Sequence, residues 1–336
     1  MNSEWHDKIF SVKENSFRQL ALDIFHFQYE ANPVYNSYVN ALGKTLSAVD
    51  KIEKIPFLPI SFFKTDEIKT GKFNADVIFK SSGTTQTINS RHHVKDASIY
   101  IQSFTKAFEK IYGDLKRWCI LGLLPSYLEK GDSSLVYMVD NFVKQSQHAQ
   151  GGFYLYDLNK LEQTIFSLER SDQKTLLIGV TYALLDFAEN FPTDLKNTII
   201  METGGVKGRR EELTRMEVHE RLKTAFGNIE VHSEYGMTEL LSQAYAKKEG
   251  RFQCPPWMRV FIRDDEDPLT VYNSQSAASN RNETLTGAIN IIDLANVYSC
   301  SFIATDDVGK LYADKSFEVL GRMDGSDLRG CSLLTV

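Results

Sequence analysis

The chain is poor in cysteine and proline, holds no long apolar run and carries no excess of positive charge. Its 4 cysteines, Cys119, Cys254, Cys300 and Cys331, lie far apart with no Cys-x-x-Cys pair. That spacing excludes the common zinc motifs and a disulfide framework. No stretch approaches the roughly 20 apolar residues of a membrane-spanning helix. Basic residues number 38 against 44 acidic ones, a formal charge of -6, so nucleic acid and anionic lipid have no general attraction for it. The N-terminus, MNSEWHDKIFSVKENS, lacks the charged start and apolar core of a signal peptide. These absences predict a cytoplasmic, reduced, globular protein without a membrane span or a nucleic-acid partner.

What is present is a large core. Of the 336 residues, 42% are hydrophobic and 12% aromatic, enough for one large domain or two ordinary ones. Apolar residues recur at helical spacing from Ser16 to Leu42, with a break near Pro33. KIPFLPISFFK, with its prolines among large apolar residues, reads as extended chain against a core. ADVIFK is a strand, and DASIYIQSFTKAFEKIYG is an amphipathic helix stopped by Gly113. RWCILGLLPS, KTLLIGVT and NTIIMETGG have the unbroken apolar character of buried parallel strands, and helical patterns separate them. RREELTRMEVHERLKTAFG is a charged helix closed by Gly227, and IEVHSEYGMTE is a strand entering a polar turn. The final third is rich in strand and turn signals. The pattern predicts an α/β fold of mostly parallel sheet flanked by helices, with a smaller β-rich C-terminal part. A single domain over 1–336 is expected, divided into an N-terminal helical and extended segment (1–78), a nucleotide-binding core (79–250) and the β-rich part (251–336).

The stretch SSGTTQ, Ser81 to Gln86, follows the ADVIFK strand. Such a loop brings backbone N–H groups near phosphate oxygens, and its hydroxyls add donors. It is not a Walker loop, because no Gly-Lys-Ser/Thr follows Gly83 at the required spacing. Alone, the motif fits an ordinary surface turn better than a phosphate loop, because short Gly/Ser/Thr clusters are common loop signals. It is followed by METGG at 201–205, HSEYGMTEL at 232–240, IATDDVG at 303–309 and VLGRMDG at 319–325.

That ordered set resembles the adenylate-forming superfamily of acyl and aryl ligases. The N-terminal IPFLPISFFKTDEIKTG and the ending GRMDGSDLRGCSLL are similar to the acyl-protein synthetases of the LuxE family. The resemblance implies an enzyme of the acid–thiol ligase type. It would activate a carboxylic acid, of apolar fatty type, to acyl-AMP with release of pyrophosphate, then hold the acyl group as a protein thioester. It implies ATP and Mg²⁺ as cofactors. Ser81, Ser82, Gly83, Thr84 and Thr85 would hold the β- and γ-phosphates, and Tyr235 with Gly236 would pack on adenine beside Gly204 and Gly205. Thr238 would bond the α-phosphate, Glu239 would coordinate Mg²⁺, Asp307 would accept the ribose hydroxyls, and Arg322 would reach ribose or phosphate. Cys331, beside Arg329, would take the acyl group as thiolate. An acyl reductase or acyl-transferring protein is the implied partner.

The chain departs from the superfamily pattern in places. Gln86 stands where a Gly is usual, no Lys follows closely, and Asp306 replaces a Gly. The sequence ends shortly after Gly330, so the small C-terminal domain with its adenylation lysine is not expected within these residues. Two other readings stay open: a ligase that delivers to CoA or a carrier protein, and a nucleotide-binding scaffold without turnover. The pair His92–His93 is expected to be exposed in a loop, because no metal ligands stand at suitable spacing. His219 and His232 have no motif around them, and Cys119 and Cys254 read as packing.

Overall fold

The computed structural model describes residues 4–81, 88–125, 131–204, 213–264, 266–280 and 283–323. They pack as two compact units, one formed by residues 4–104, 236–243 and 253–323, the other by 105–235 and 244–252. Each is described by itself.

The first unit is built on antiparallel strands. Their order is Val271–Tyr272, Met258–Arg263, Thr284–Asp293, Phe302–Tyr312 and Phe317–Arg322. The short strand Leu58–Pro59, from the proline-containing segment, adds in parallel to Phe302–Tyr312, with Leu58 opposite Ile303. The rest of that segment departs from the extended reading, since Phe62–Thr65 forms one helical turn that buries Phe63. Helix Glu14–Ala31 buries Phe17, Leu20, Ala21, Ile24, Phe25 and Gln28, one face at helical spacing. Asn32 ends it and caps the next helix, Pro33–Ala41, by accepting from the Tyr35 N–H, and Pro33 suits a first helical position. The aromatic core gathers on Phe302, with Tyr35 stacked at 5.9 Å and Phe25 edge-on at 6.2 Å. A separate antiparallel pair, Val77–Lys80 with Arg91–Val94, flanks the hydroxyl-rich loop, and Lys80 stands opposite Arg91.

The second unit carries the parallel sheet. Its strand order is Gly152–Phe153, Cys119–Leu123, Thr175–Val180, Thr198–Thr203 and Val231–Tyr235, all parallel, with Ala244–Ala246 antiparallel at the end. The CILGL run of Cys119–Leu123 is wholly buried, as a parallel strand covered on both faces must be. Helices Leu158–Arg170, Thr181–Asn190 and Arg215–Ala225 pack on the sheet through Leu161, Ile165, Leu184, Phe187, Val218 and Leu222. Arg215–Ala225 begins with a capping box in which Thr214 and Glu217 satisfy each other's backbone N–H. It is followed by Gly227 at φ +81°, where an added Cβ would lie 2.7 Å from Asp194 Oδ1. The expected mixture of flanked parallel sheet and β-rich remainder is therefore present.

Candidate functional site

In the parallel unit, the polar residues sit at the carboxyl ends of the strands, where open α/β sheets bind ligands. Gly204 follows strand Thr198–Thr203 with φ +73°, a conformation glycine adopts without strain. Its carbonyl accepts from the Thr181 hydroxyl at 2.6 Å. Tyr235 ends strand Val231–Tyr235, is 8% exposed, and lies 5.7 Å from the Phe252 ring.

Two buried carboxyls accompany these residues. Glu202 and Glu234 lie on adjacent strands, and Thr203 faces Glu234 in register and donates its hydroxyl to that carboxyl. Burial pushes Glu234 up to about 7, against a lowering by the Thr203 hydrogen bond. Burial also raises Glu202, but His219 at 3.6 Å and Arg215 at 3.7 Å outweigh it and bring the carboxyl below its ordinary value. One carboxyl of the pair is thus held below its ordinary range and the other well above it, so Glu234 takes up a proton the more readily of the two.

In the other unit, Gly236, Thr238 and Glu239 occupy a turn that belongs to no strand or helix. Glu239 is fully buried. Asp307 lies within strand Phe302–Tyr312 directly opposite Arg322. Arg322 Nε stands 3.6 Å from Asp307 Oδ1, and its Nη2 donates to Asp306 Oδ2 at 2.8 Å. The register shifts between Val308 and Gly309, and a Cβ on Gly309 would meet the Glu318 carbonyl oxygen at 2.4 Å. Glycine there allows the bulged strands to close beside Asp307. Arg263 braces the same strand by donating to the Thr305 carbonyl at 3.0 Å and to Asn290 Oδ1 at 2.7 Å.

The structure brings Asp307 together with Arg322, Gly204 with Thr181, and Thr238 with His92, which the sequence predicts to lie in an exposed loop. His92 is not an exposed loop residue: it lies on strand Arg91–Val94 with no exposed surface, and His93 is only 9% exposed. The strand alternation of RHHV places His92 inward beside Phe63, whose ring centroid is 5.6 Å away. His92 Nδ1 donates to the Thr238 carbonyl at 2.8 Å, and Nε2 contacts Ser299 Oγ at 2.9 Å. Burial lowers its pKa to about 4, so the imidazole is neutral. His219 and His232 also have partners: Glu202 for the first, and the Tyr112 hydroxyl at 3.0 Å for the second. Ser82, Gly83, Thr84, Thr85, Gly205 and Cys331 lie outside the described residues, while Ser81 N–H donates to the Ser90 carbonyl at 3.1 Å.

Among the described residues no group of three or more His, Cys, Asp or Glu side chains forms a metal cage. Glu239, the residue that the resemblance implies as the Mg²⁺ ligand, is a single carboxylate with no exposed surface, and Mg²⁺ is commonly held by one or two carboxylates together with phosphate oxygens.

Residues 4–335 match the family described as acyl-protein synthetase, LuxE. The chain belongs to the LuxE acyl-protein synthetase family. No curated protein matches the chain. Solved structures of adenylate-forming enzymes share its fold. ATP-bound MatB from Rhodopseudomonas palustris is 16% identical over 75% of this chain and 49% of its own, with a TM-score of 0.54. O-succinylbenzoate coenzyme A synthetase (MenE) from Bacillus subtilis, in complex with ATP and magnesium ion, is 17% identical over 75% and 51%, with a TM-score of 0.50. The 2-hydroxyisobutyryl-CoA ligase in complex with 2-HIB-AMP is 11% identical over 93% and 68%, with a TM-score of 0.62. The chain thus spans about half the length of the MatB and MenE structures it matches.

Proposed function

We propose that this LuxE-family chain activates a carboxylic acid with ATP and passes the acyl group to a thiol. The observation that carries this reading is the family match over residues 4–335, in a fold shared with adenylate-forming enzymes. A carboxylate oxygen attacks the α-phosphorus, the α–β phosphoanhydride bond breaks, and pyrophosphate leaves with the released electron pair. A thiolate then attacks the acyl carbon, and the bond to AMP breaks. Both steps bring anions together, so positive charge and N–H donors matter more than acid–base chemistry.

The residue roles are those that the family resemblance implies. Ser81, Ser82, Thr84 and Thr85, with the Gly83 backbone between them, hold the β- and γ-phosphates. Tyr235, Gly204, Gly205 and Gly236 accept the adenine, Asp307 takes the ribose hydroxyls, and Arg322 neutralises the Asp306–Asp307 pair while it reaches ribose or phosphate. Thr238 donates to the α-phosphate, and Glu239 holds Mg²⁺. The ion, when bound, supplies charge neutralisation on the phosphates. An apolar, fatty acid is the substrate class, Cys331 is the acyl acceptor, and an acyl reductase or acyl-transferring protein consumes the product. A cytoplasmic setting accords with this, and no helix among the described residues is long and apolar enough to cross a membrane.

A second reading has support in the coverage by 2-hydroxyisobutyryl-CoA ligase of 93% of this chain: the acyl group goes to CoA instead. Acid-dependent exchange of labelled pyrophosphate into ATP tests the activation. Labelled acid then distinguishes the acceptors. Hydroxylamine-sensitive label on the protein, lost in Cys331→Ser, supports the protein thioester, whereas free acyl-CoA formed by that variant supports the CoA reading.

A further inference from the structure

The turn at 237–242 belongs to neither sheet nor helix, so its backbone polar groups need partners from elsewhere. Side chains supply them. The Thr238 carbonyl accepts from His92 Nδ1 at 2.8 Å, and the Glu239 carbonyl accepts from Asn296 Nδ2 at 2.7 Å. The Leu241 N–H donates to Asp293 Oδ2 at 2.9 Å and to Asn296 Oδ1 at 3.1 Å. Two consecutive carbonyls, those of the residues assigned to α-phosphate and Mg²⁺, are therefore each fixed by a buried side chain from a different element.

The fixing residues are themselves held. Because a carbonyl oxygen can only accept, His92 carries its proton on Nδ1, and the Ser299 hydroxyl donates to the bare Nε2 at 2.9 Å. The other neighbour of that hydroxyl, the Asn296 carbonyl, is farther off at 3.4 Å. The Ser299 carbonyl accepts from Asn32 Nδ2 at 2.9 Å and Thr70 Oγ1 at 2.6 Å. Gln28 Nε2 donates to the carbonyls of Asn296 and Val297 at 3.0 Å, and Gln28 Oε1 accepts from the Ser301 N–H at 2.9 Å. His92, Gln28, Asn32, Thr70, Asn296 and Ser299 are all 3% exposed or less.

We propose that His92 and Asn296 are positioning residues for acyl-adenylate formation, and that the helical N-terminus anchors them through Gln28 and Asn32. This rests on the function proposed above. A buried network that served stability alone would need donors and acceptors only in balance. Here the donors converge on the backbone of the two residues whose side chains meet the reacting phosphate and its cation. His92 also lies on the return strand from the hydroxyl-rich loop, so one imidazole ties that strand to the Thr238–Glu239 turn. A displacement of a reacting group by about 1 Å costs on the order of 100-fold in rate.

The test compares His92→Ala and His92→Asn in acid-dependent pyrophosphate exchange, with thermal unfolding measured on the same samples. The Asn side-chain N–H takes the place of Nδ1–H but cannot reach Ser299. Expected for His92→Ala is a loss in exchange kcat of about 100-fold, with KM for ATP within about threefold. His92→Asn should recover at least about a tenth of the wild-type rate while its unfolding temperature falls as far as that of His92→Ala. Equal exchange rates in the two variants, or full activity in His92→Ala, overturn the proposal. Should His92→Ala fail to fold, ¹⁵N-histidine NMR of the wild-type chain decides. One imidazole protonated on Nδ1 and bare on Nε2, shifted by ATP and acid together, supports the role. An unshifted signal or the other tautomer overturns it. No exchange by the wild-type chain with any acid is the failure of the proposed function and is recognised before any variant is made.

Discussion

Asp307 and Arg322 face each other across adjacent antiparallel strands, with Arg322 Nε 3.6 Å from Asp307 Oδ1 and Nη2 2.8 Å from Asp306 Oδ2. One guanidinium thus serves two neighbouring carboxylates, and only a planar fork reaches both. Arg322→Lys keeps the charge but not the fork. KM for ATP in pyrophosphate exchange should rise about tenfold, equivalent to about 1.4 kcal/mol, with kcat little changed. An unchanged KM would remove Arg322 from nucleotide binding.

Glu234 gives a pH signature. Its folded-state pKa is about 7 against an ordinary value of 4.5, raised chiefly by burial. The folded chain therefore keeps a proton that the unfolded chain has released. This contribution to stability is complete below the unfolded value and is lost as pH rises through about 7. Glu234→Gln carries no such proton. The stability difference between wild type and variant should shift by about 3 kcal/mol against wild type as pH rises across that window. Urea unfolding at several pH values measures it, and a constant difference contradicts the buried neutral acid.

Asp293 accepts from Ser242 Oγ at 2.6 Å, from Leu241 N at 2.9 Å and from Ala295 N at 3.1 Å, and it is wholly buried. Asp293→Ala leaves these donors without that acceptor and should cost about 3 kcal/mol or more. Asp293→Asn retains one carbonyl oxygen and should cost less. Urea unfolding of the two variants distinguishes them, and equal costs would mean that the acceptor role is minor.

The described cysteines are poor nucleophiles. Burial pushes Cys119 up to about 11 and Cys254 and Cys300 up to about 12, so each is thiol at neutral pH. Brief iodoacetamide treatment of the folded protein should therefore leave the Cys119 and Cys300 peptides unmodified. Rapid labelling of Cys119 or Cys300 would contradict their burial.

The parallel strands were legible because TLLIGV and CILGL are buried on both faces and so read as continuous apolar runs. Gly113 and Gly227 announced helix ends, and both have positive φ. The ordered motifs led to the family that the chain matches. What stayed hidden depends on long-range register. His92 meets Thr238 across 146 positions, and nothing near either residue signals the contact. Glu234 and Thr203 meet only because their strands pair in one register. Gln28 falls on the apolar face of its helix, where a polar side chain looks like an interruption until Ser301 and Asn296 are seen behind it.

The most direct measurement follows oxygen. The chain is incubated with ATP, Mg²⁺ and carboxylic acids labelled with ¹⁸O in the carboxyl group, over short, long and aromatic examples, with a thiol acceptor present. Attack of the carboxylate on the α-phosphorus followed by thiolysis leaves one carboxyl oxygen on AMP. The predicted result is AMP carrying a single ¹⁸O, formed with unlabelled pyrophosphate and only when a suitable acid is present. Label in orthophosphate alongside ADP, or no nucleotide turnover with any acid, would contradict adenylate formation by this chain.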